Sequence, residues 1–309
     1  MKFSKYVARR ILQMVPVILA IICICFLIIH LAPGDPATIL AGETATDEYI
    51  AELEAQFGLN EPLWKQLLLY IGNVLQGNLG ESFADRVPVS GMLAERMRVT
   101  LMLVLPSEVL AILIGTLLGL IAAKHENRIQ DHLISNASIV LYCMPAFWLG
   151  MMLMLLFAVN LKWLPTSGMQ SFNTDLSPFL DTLRHMILPS LTLILVRIPT
   201  YLKLARSSIV EVAQEDFINT ARAIGYSERV VYRRHALRNA LLPTVTQVGM
   251  SISSLFSGAL LTETVFSWPG MGRMVYEAIS SRDYPVIMGG FLVSAIMVVI
   301  GSFITDIIY

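Results

Sequence analysis

The chain has 309 residues, 55% of them hydrophobic and only 15% charged, with a mean hydropathy of +0.66 and a formal net charge of −1. That is too little polar surface to coat a soluble globule of this size, so the composition points to an integral membrane protein. A near-zero net charge gives no reason to expect a nucleic-acid partner, and Cys23, Cys25 and Cys143 all lie in apolar runs, where neither a disulfide nor a zinc site is expected.

Lys2, Lys5, Arg9 and Arg10 form a basic leader to the first apolar run, residues 11–31, which contains no Asp, Glu, Lys or Arg. Its length matches the ~20 residues needed to cross the hydrocarbon as a helix. Its Ile, Leu, Val and Phe residues alone favour insertion by roughly 4 to 8 kcal/mol. The run is too long for a signal peptide and has no clear small-x-small cleavage site, so it is expected to stay as an anchor.

Residues 33–98 follow as a long connection. Thr46 can cap a helix whose Tyr49, Ile50, Leu53 and Phe57 share one face. Asn60 can cap a second, with Pro62 in its first turn, Leu67, Leu68, Ile71, Val74 and Leu75 along it, and Gly77 to end it. The connection carries ten Asp and Glu against Lys65, Arg86, Arg96 and Arg98. It reads as an amphipathic lid at the membrane interface, or as an acidic face toward an outer partner.

Further spans are expected at 100–123, 134–159, 186–205, 240–261 and 285–308, six in all. With the N-terminus inside, thirteen of the 22 Lys and Arg fall on the inner side, counting Lys203 at the inner end of the fourth span, eight on outer segments, and Arg197 deeper within that span. This bias follows the positive-inside rule and puts both termini in the cytoplasm. The expected fold is therefore an all-α integral membrane protein with six transmembrane helices, a helical insertion (33–98) after the first, and a core five-helix unit over 99–309.

Glu108 and Arg197 are the deepest ionisable residues, and such groups are costly in a span unless they face a cavity or a partner. Glu108 follows Pro106, which should disturb the helix ladder. Two readings stand for Glu108 and Arg197: they line a translocation path, or each pairs with a neighbouring helix.

An Arg-rich stretch, 206–239, lies between the fourth and fifth spans. Gly225 should end one short helix by taking a positive φ, and Ser227 can cap the next, with Glu228 in its first turn and arginines after it. The product is a helix–turn–helix. It is either a docking surface or a basic loop that only holds its segment in the cytoplasm.

No G-x-x-x-x-G-K-[ST], G-x-S-x-G, H-E-x-x-H or paired intramembrane aspartates occur, so neither phosphate cradling nor hydrolysis is expected of this chain. His125 and His132 are seven apart but lack carboxylate or thiolate company, a weak metal signal. Neither short internal repeats nor two inverted halves are evident.

Several motifs stand in order along the chain: His30-Leu31-Ala32-Pro33-Gly34-Asp35-Pro36, Phe57-Gly58-Leu59-Asn60-Glu61-Pro62, Leu164-Pro165-Thr166-Ser167-Gly168 and His185-Met186-Ile187-Leu188-Pro189. Two more specific runs follow. One links Arg206-Ser207-Ser208 to Thr220-Ala221-Arg222-Ala223-Ile224-Gly225 and His235-Ala236-Leu237-Arg238-Asn239, and the other is Thr262-Glu263-Thr264-Val265-Phe266-Ser267-Trp268-Pro269-Gly270-Met271-Gly272 with Arg282-Asp283-Tyr284-Pro285. In this combination the chain resembles the membrane permease subunits of binding-protein-dependent ATP-binding cassette importers, of the dipeptide, oligopeptide and nickel branch.

The resemblance implies that 206–239 is a cytoplasmic coupling loop seating in a cleft of a separate ATPase. Asn219, Thr220 and Ala221 stand at the Glu-Ala-Ala positions of the general pattern, with Arg222, Gly225, His235 and Arg238 the other contact candidates. Asn219 replaces the acidic residue, and Arg238 replaces the proline. Further implied are a homologous second permease, two ATPase subunits that bind the ATP and Mg, a periplasmic or lipid-anchored solute-binding protein, and a place in a bacterial inner membrane. No cofactor is implied for this chain. Short peptides are the first-choice cargo, with nickel complexes, glutathione or another small solute as alternatives. From a different class, an ion-coupled secondary carrier would need intramembrane acid–base chains, for which Glu108 is the one candidate.

Overall fold

In hydrocarbon no water satisfies backbone N–H and C=O groups, so long apolar runs must close their hydrogen bonds internally as helices. The structure, a computed structural model, describes residues 3–31, 46–48, 50–51, 61–171, 174–227 and 230–308. Its helices are α1 (Phe3–Leu31), α2 (Leu63–Leu75), α3 (Val89–Lys124), α4 (Ile129–Cys143), α5 (Ala146–Leu153), α6 (Pro178–Val212), α7 (Asp216–Ala223), α8 (Leu237–Ala240), α9 (Leu242–Val265), α10 (Met271–Ser281) and α11 (Tyr284–Ile308). Segments Met154–Asn160 and Val231–Ala236 are π-helical, and no strand longer than the isolated Glu81–Pro88 bridge occurs among the described residues.

Four of these helices, Lys5–Ile28 within α1, α3, α6 and Tyr284–Ile307 within α11, are long and apolar enough to cross a membrane. The α4–α5 pair, extended to Asn160, makes a fifth if its two arms are one span. The apolar window of α1 is only 17% buried. Side chains such as Leu12 on α1 and Val109 and Leu117 on α3 are exposed, as suits contact with lipid. The protein is an all-α, multi-pass membrane protein. The expected fifth span, 240–261, falls on α9.

Two compact units divide the chain. The first comprises residues 1–100 and 269–303. In it Ile22 and Cys25 of α1 pack with Met288 and Leu292 of α11, flanked by Tyr70, Ile71 and Val74 of α2. The Gln66 amide oxygen accepts from His30 Nε2 at 2.8 Å, tying α2 to the end of α1. Of the first helix expected in the connection, only 46–48 and 50–51 are described, with Ile50 N–H bonded to Thr46 O at 3.0 Å; the rest, and Asn60, lie outside the described residues. The second is present as α2, and Gly77 beyond it has φ +78° as expected.

Asp283 organises the far side of this unit. Its carboxylate accepts from Ser82 Oγ at 2.6 Å, Phe83 N–H at 3.0 Å and Ala84 N–H at 3.3 Å, holding the turn before α3 against the α10–α11 junction. Arg282 makes that junction in the left-handed conformation, at φ +56°.

The second unit comprises residues 101–268 and 304–309. Gly115 and Gly119, one turn apart on α3, let α6 come close: a Cβ at Gly119 would stand 2.6 Å from Leu202 O, and one at Gly115 2.8 Å from Tyr201 Cβ. Around this crossing Ala111, Ile194, Ile198, Tyr201 and Leu202 form a buried cluster. α3 runs on through Pro106, which has no N–H for the Met102 carbonyl and so interrupts the ladder there, and the Ser107 hydroxyl adds a 2.7 Å bond to Leu103 O.

The expected span 134–159 is not one straight helix. α4 and α5 meet at 103° across Met144 and Pro145. Proline supplies no N–H and clashes with an α-conformation before it, and Met144 sits at ψ 127°, extended.

Candidate functional site

The stretch between α6 and α9 folds upon itself. Ile218 and Ala221, three apart on α7, turn inward to meet Val231 and Ala236 of the π-helical segment, with Val212 at the edge. The helix ends in a Schellman motif: Gly225 N–H bonds Arg222 O at 3.0 Å and Tyr226 N–H bonds Ala221 O at 3.3 Å. Gly225 supplies the left-handed residue this requires, at φ +95°, and a Cβ there would meet nothing within 4 Å. Asp216 in the first turn and Arg222 in the last both suit the helix dipole. Glu228 and Arg229 lie outside the described residues, as does the side chain of Arg233.

The expected contact residues are therefore distributed as follows. Asn219, Thr220 and Arg222 are exposed on α7, and Thr220 Oγ1 donates back to Asp216 O at 2.9 Å. Ala221 is 4% exposed, so its small size serves the helix–turn–helix interior and not an external groove. His235 is half-buried with its ring 5.4 Å from that of Tyr226, and its Nε2 has no hydrogen-bond partner among the described residues. Arg238 is exposed on α8. Phe217 in the first turn of α7 and Ile224 at its C-cap, seven apart, are 40% and 70% exposed and flank the buried stripe of Ile218 and Ala221. These two apolar side chains were not singled out from the sequence, although their spacing on a short polar helix was the available signal.

At the base of the elbow, Asp131 and Arg206 tie α4 to α6. The guanidinium at the end of α6 donates from Nε to Oδ1 at 2.6 Å and from Nη2 to Oδ2 at 2.7 Å. Asp131 also accepts from Asn127 N–H at 3.0 Å and from Ser135 Oγ at 3.1 Å, so one buried carboxylate holds the α3–α4 turn and α6 together. Ile209, Ala123 and Ala240 pack alongside.

The structure brings Glu108 and Arg197 together. Arg197 Nε stands 3.7 Å from Glu108 Oε2, and the Glu108 carboxylate, 7% exposed, also accepts from the Tyr201 hydroxyl. Ser251 Oγ lies 2.8 Å from the same phenol oxygen, which draws α9 into the group. Of the two readings left open, pairing with a neighbouring helix is thus realised by geometry. Among the described residues no group of three His, Cys, Asp or Glu is placed to hold a metal ion.

Residues 115–309 match the family of binding-protein-dependent transport system inner membrane components, and residues 3–104 match the N-terminal part of such membrane components. The chain belongs to this family. Its similarity to curated members runs nearly end to end. It is 39% identical to a di/tripeptide transport system permease protein of Pseudomonas aeruginosa (strain UCBPP-PA14), over 98% of this chain and 96% of that protein. It is 37% identical to an oligopeptide transport system permease protein of Bacillus subtilis (strain 168), over 99% and 97%. It is 40% identical to a glutathione transport system permease protein of Salmonella typhimurium (strain LT2), over 98% and 96%. As an inner membrane component of a binding-protein-dependent system, this chain is a transport subunit.

Proposed function

We propose that this chain is a permease subunit of an ATP-driven importer and forms half of the path for short peptides delivered by a solute-binding protein. The observation that carries this is the elbow of α7. It is a short helix fixed by a buried apolar cluster and stopped by Gly225, with Phe217 and Ile224 exposed along the edge of that cluster and Asn219, Thr220 and Arg222 exposed beside them. Two apolar anchors rimmed by polar groups suit insertion into a groove of another protein. The groove belongs to an ATPase, since no phosphate-cradling motif occurs in this sequence.

In this reading a homologous second permease pairs with the chain, and two ATPase subunits carry the ATP and Mg. Six spans cross a bacterial inner membrane: α1, α3, the α4–α5 pair, α6, α9 and α11. Residues 33–98 lie outside, residues 99–309 form the five-helix core, 206–239 is the coupling loop, and both termini are cytoplasmic. Closure of the ATPases on nucleotide pushes the elbow, and the Asp131–Arg206 pair transmits that displacement to α4 and α6. The chain is then a bistable element whose populations follow the differential affinity of the motor for its two states. Peptide cargo is supported by the di/tripeptide and oligopeptide relatives, and glutathione, itself a tripeptide, is within the same class.

The test is uptake into vesicles holding the complete importer. Uptake of a labelled dipeptide driven by ATP, and lost when the ATPases are omitted, is expected. Uptake driven by a proton gradient alone would establish a secondary carrier instead.

A further inference from the structure

A groove runs along the second unit between α4, α6 and α9. One stretch of it encloses about 380 Å³ and is lined by Ser138, Tyr142, Thr200, Lys203 and Gln247 among others, with one cation and no carboxylate among the described lining residues. It continues through Ile139 into a second stretch of about 540 Å³ at the α4–α5 bend, where Cys143, Phe147 and Trp148 make an apolar and aromatic wall. Lys203 is exposed and has no ion-pair partner among the described residues.

This face is unsuited to lipid. Hydroxyls, an amide and an ammonium on helices that cross hydrocarbon must face water or protein. The backbone agrees: Pro199 lines the groove and has no N–H for the Leu195 carbonyl, and the sharp break at Pro145 belongs where irregular backbone borders a cavity. Ser138 of α4 and Lys203 of α6 line the same stretch, on the bundle side of the Asp131–Arg206 pair. The polar stretch is therefore about level on both helices.

We propose that this groove is a wall of the transport path, with Lys203 as the counter-charge to the carboxylate terminus of a passing peptide and the Phe147–Trp148 wall receiving its side chains. The inference rests on the importer reading. A single exposed ammonium suits transit, because it offers a peptide carboxylate a weak and screened attraction and not a trap.

The test uses the complete importer in proteoliposomes. Lys203→Met should slow ATP-driven dipeptide uptake about fourfold, while ATP hydrolysis stimulated by the loaded binding protein persists. Lys203→Arg should restore uptake to within about twofold, by keeping the charge. In a Cys143→Ser background, Gln247→Cys should react with a membrane-impermeant thiol reagent supplied from the side of the ATPases. Wild-type uptake by Lys203→Met, or a Gln247→Cys thiol protected throughout the cycle by the second subunit, would overturn the proposal. Absence of ATP-driven uptake by the unmodified importer would instead remove the underlying reading.

Discussion

Asp131 and Arg206 meet side-on through two short charge-assisted bonds of 2.6 and 2.7 Å, and the carboxylate is almost wholly buried while the guanidinium keeps some exposure. Parallel bonds of this kind give direction as well as energy. They join the start of α4 to the end of α6 just before the elbow.

Removing the carboxylate leaves Arg206, the Asn127 N–H and the Ser135 hydroxyl short of an acceptor. Asp131→Ala should cost about 3 kcal/mol, in the range for a partly buried pair broken on one side. Thermal unfolding in detergent measures this. The Asp131→Ala/Arg206→Ala double variant should lose less than the sum of the singles, because the orphaned charge is gone. Strict additivity would mean that the pair does not act as a unit.

Glu108 is held by Tyr201 and faces Arg197 on α6. Glu108→Gln keeps an acceptor for the phenol but removes the negative charge, whereas Glu108→Ala removes both. Glu108→Ala should therefore destabilise by about 2 to 3 kcal/mol and Glu108→Gln by about half of that, as read by unfolding in detergent. Adding Tyr201→Phe to Glu108→Ala should cost less than Tyr201→Phe in the wild type, since the Glu108 bond is already gone and only the Ser251 contact is left to lose. Equal losses for Gln and Ala would show that charge, and not hydrogen bonding, carries the interaction.

What could be read ahead of the structure were features encoded by neighbours in sequence. The apolar runs became helices because lipid leaves the backbone no alternative. Gly225 and Gly77 took positive φ as expected, for want of a Cβ. The inward turn of Ala221 was hidden because an alanine fits either face of a short helix, and only the packing of Ile218 on Val231 and Ala236 decides which. The bend at Pro145 was announced by the residue type, but the unbroken apolar run around it outweighed that signal. Glu108 and Arg197 are far apart in sequence, so their choice of each other as partners was set by the Gly115–Gly119 crossing. That G-x-x-x-G pair was itself readable.

At that crossing α3 and α6 approach so closely that backbone, not side chain, blocks a larger residue. A Cβ on Gly119 would stand 2.6 Å from the Leu202 carbonyl and 2.8 Å from Ala205 Cβ. Gly119→Ala should destabilise by about 1 to 3 kcal/mol through overpacking, and Gly119→Leu should prevent stable folding. Gly91, with nothing within 4 Å of its Cβ position, is the control, and Gly91→Ala should leave the unfolding midpoint nearly unchanged.

Asp283 gathers Ser82 Oγ, Phe83 N–H and Ala84 N–H, and Ser82 in turn accepts from Asp85 N–H at 3.1 Å. Asp283→Ala should cost about 3 kcal/mol, since buried donors lose their acceptor together. Asp283→Asn should cost less, because the amide oxygen still accepts. Proteolysis within residues 82–88 should rise in Asp283→Ala before global unfolding; unchanged cleavage there would show that the turn is held by other contacts.

Gly225 separates two effects that most substitutions mix. Its Cβ position is open, so a side chain there meets no steric obstacle, and the whole penalty comes from φ +95°. For a β-branched residue that penalty is of order 1 to 2 kcal/mol, and for asparagine it is smaller. The strain falls on the turn whose other bonds end at Arg222 and Ala221, so relief of it shifts α7 relative to Val231 and Ala236. In the complete importer, Gly225→Val should assemble and hydrolyse ATP yet transport at roughly a tenth of the normal rate, about 1.4 kcal/mol of lost coupling. Gly225→Asn should transport within about threefold of normal, a smaller loss on the same scale. The ratio of peptide moved to ATP hydrolysed is the measurement, and an unchanged ratio in Gly225→Val would show that the motor does not act through this elbow.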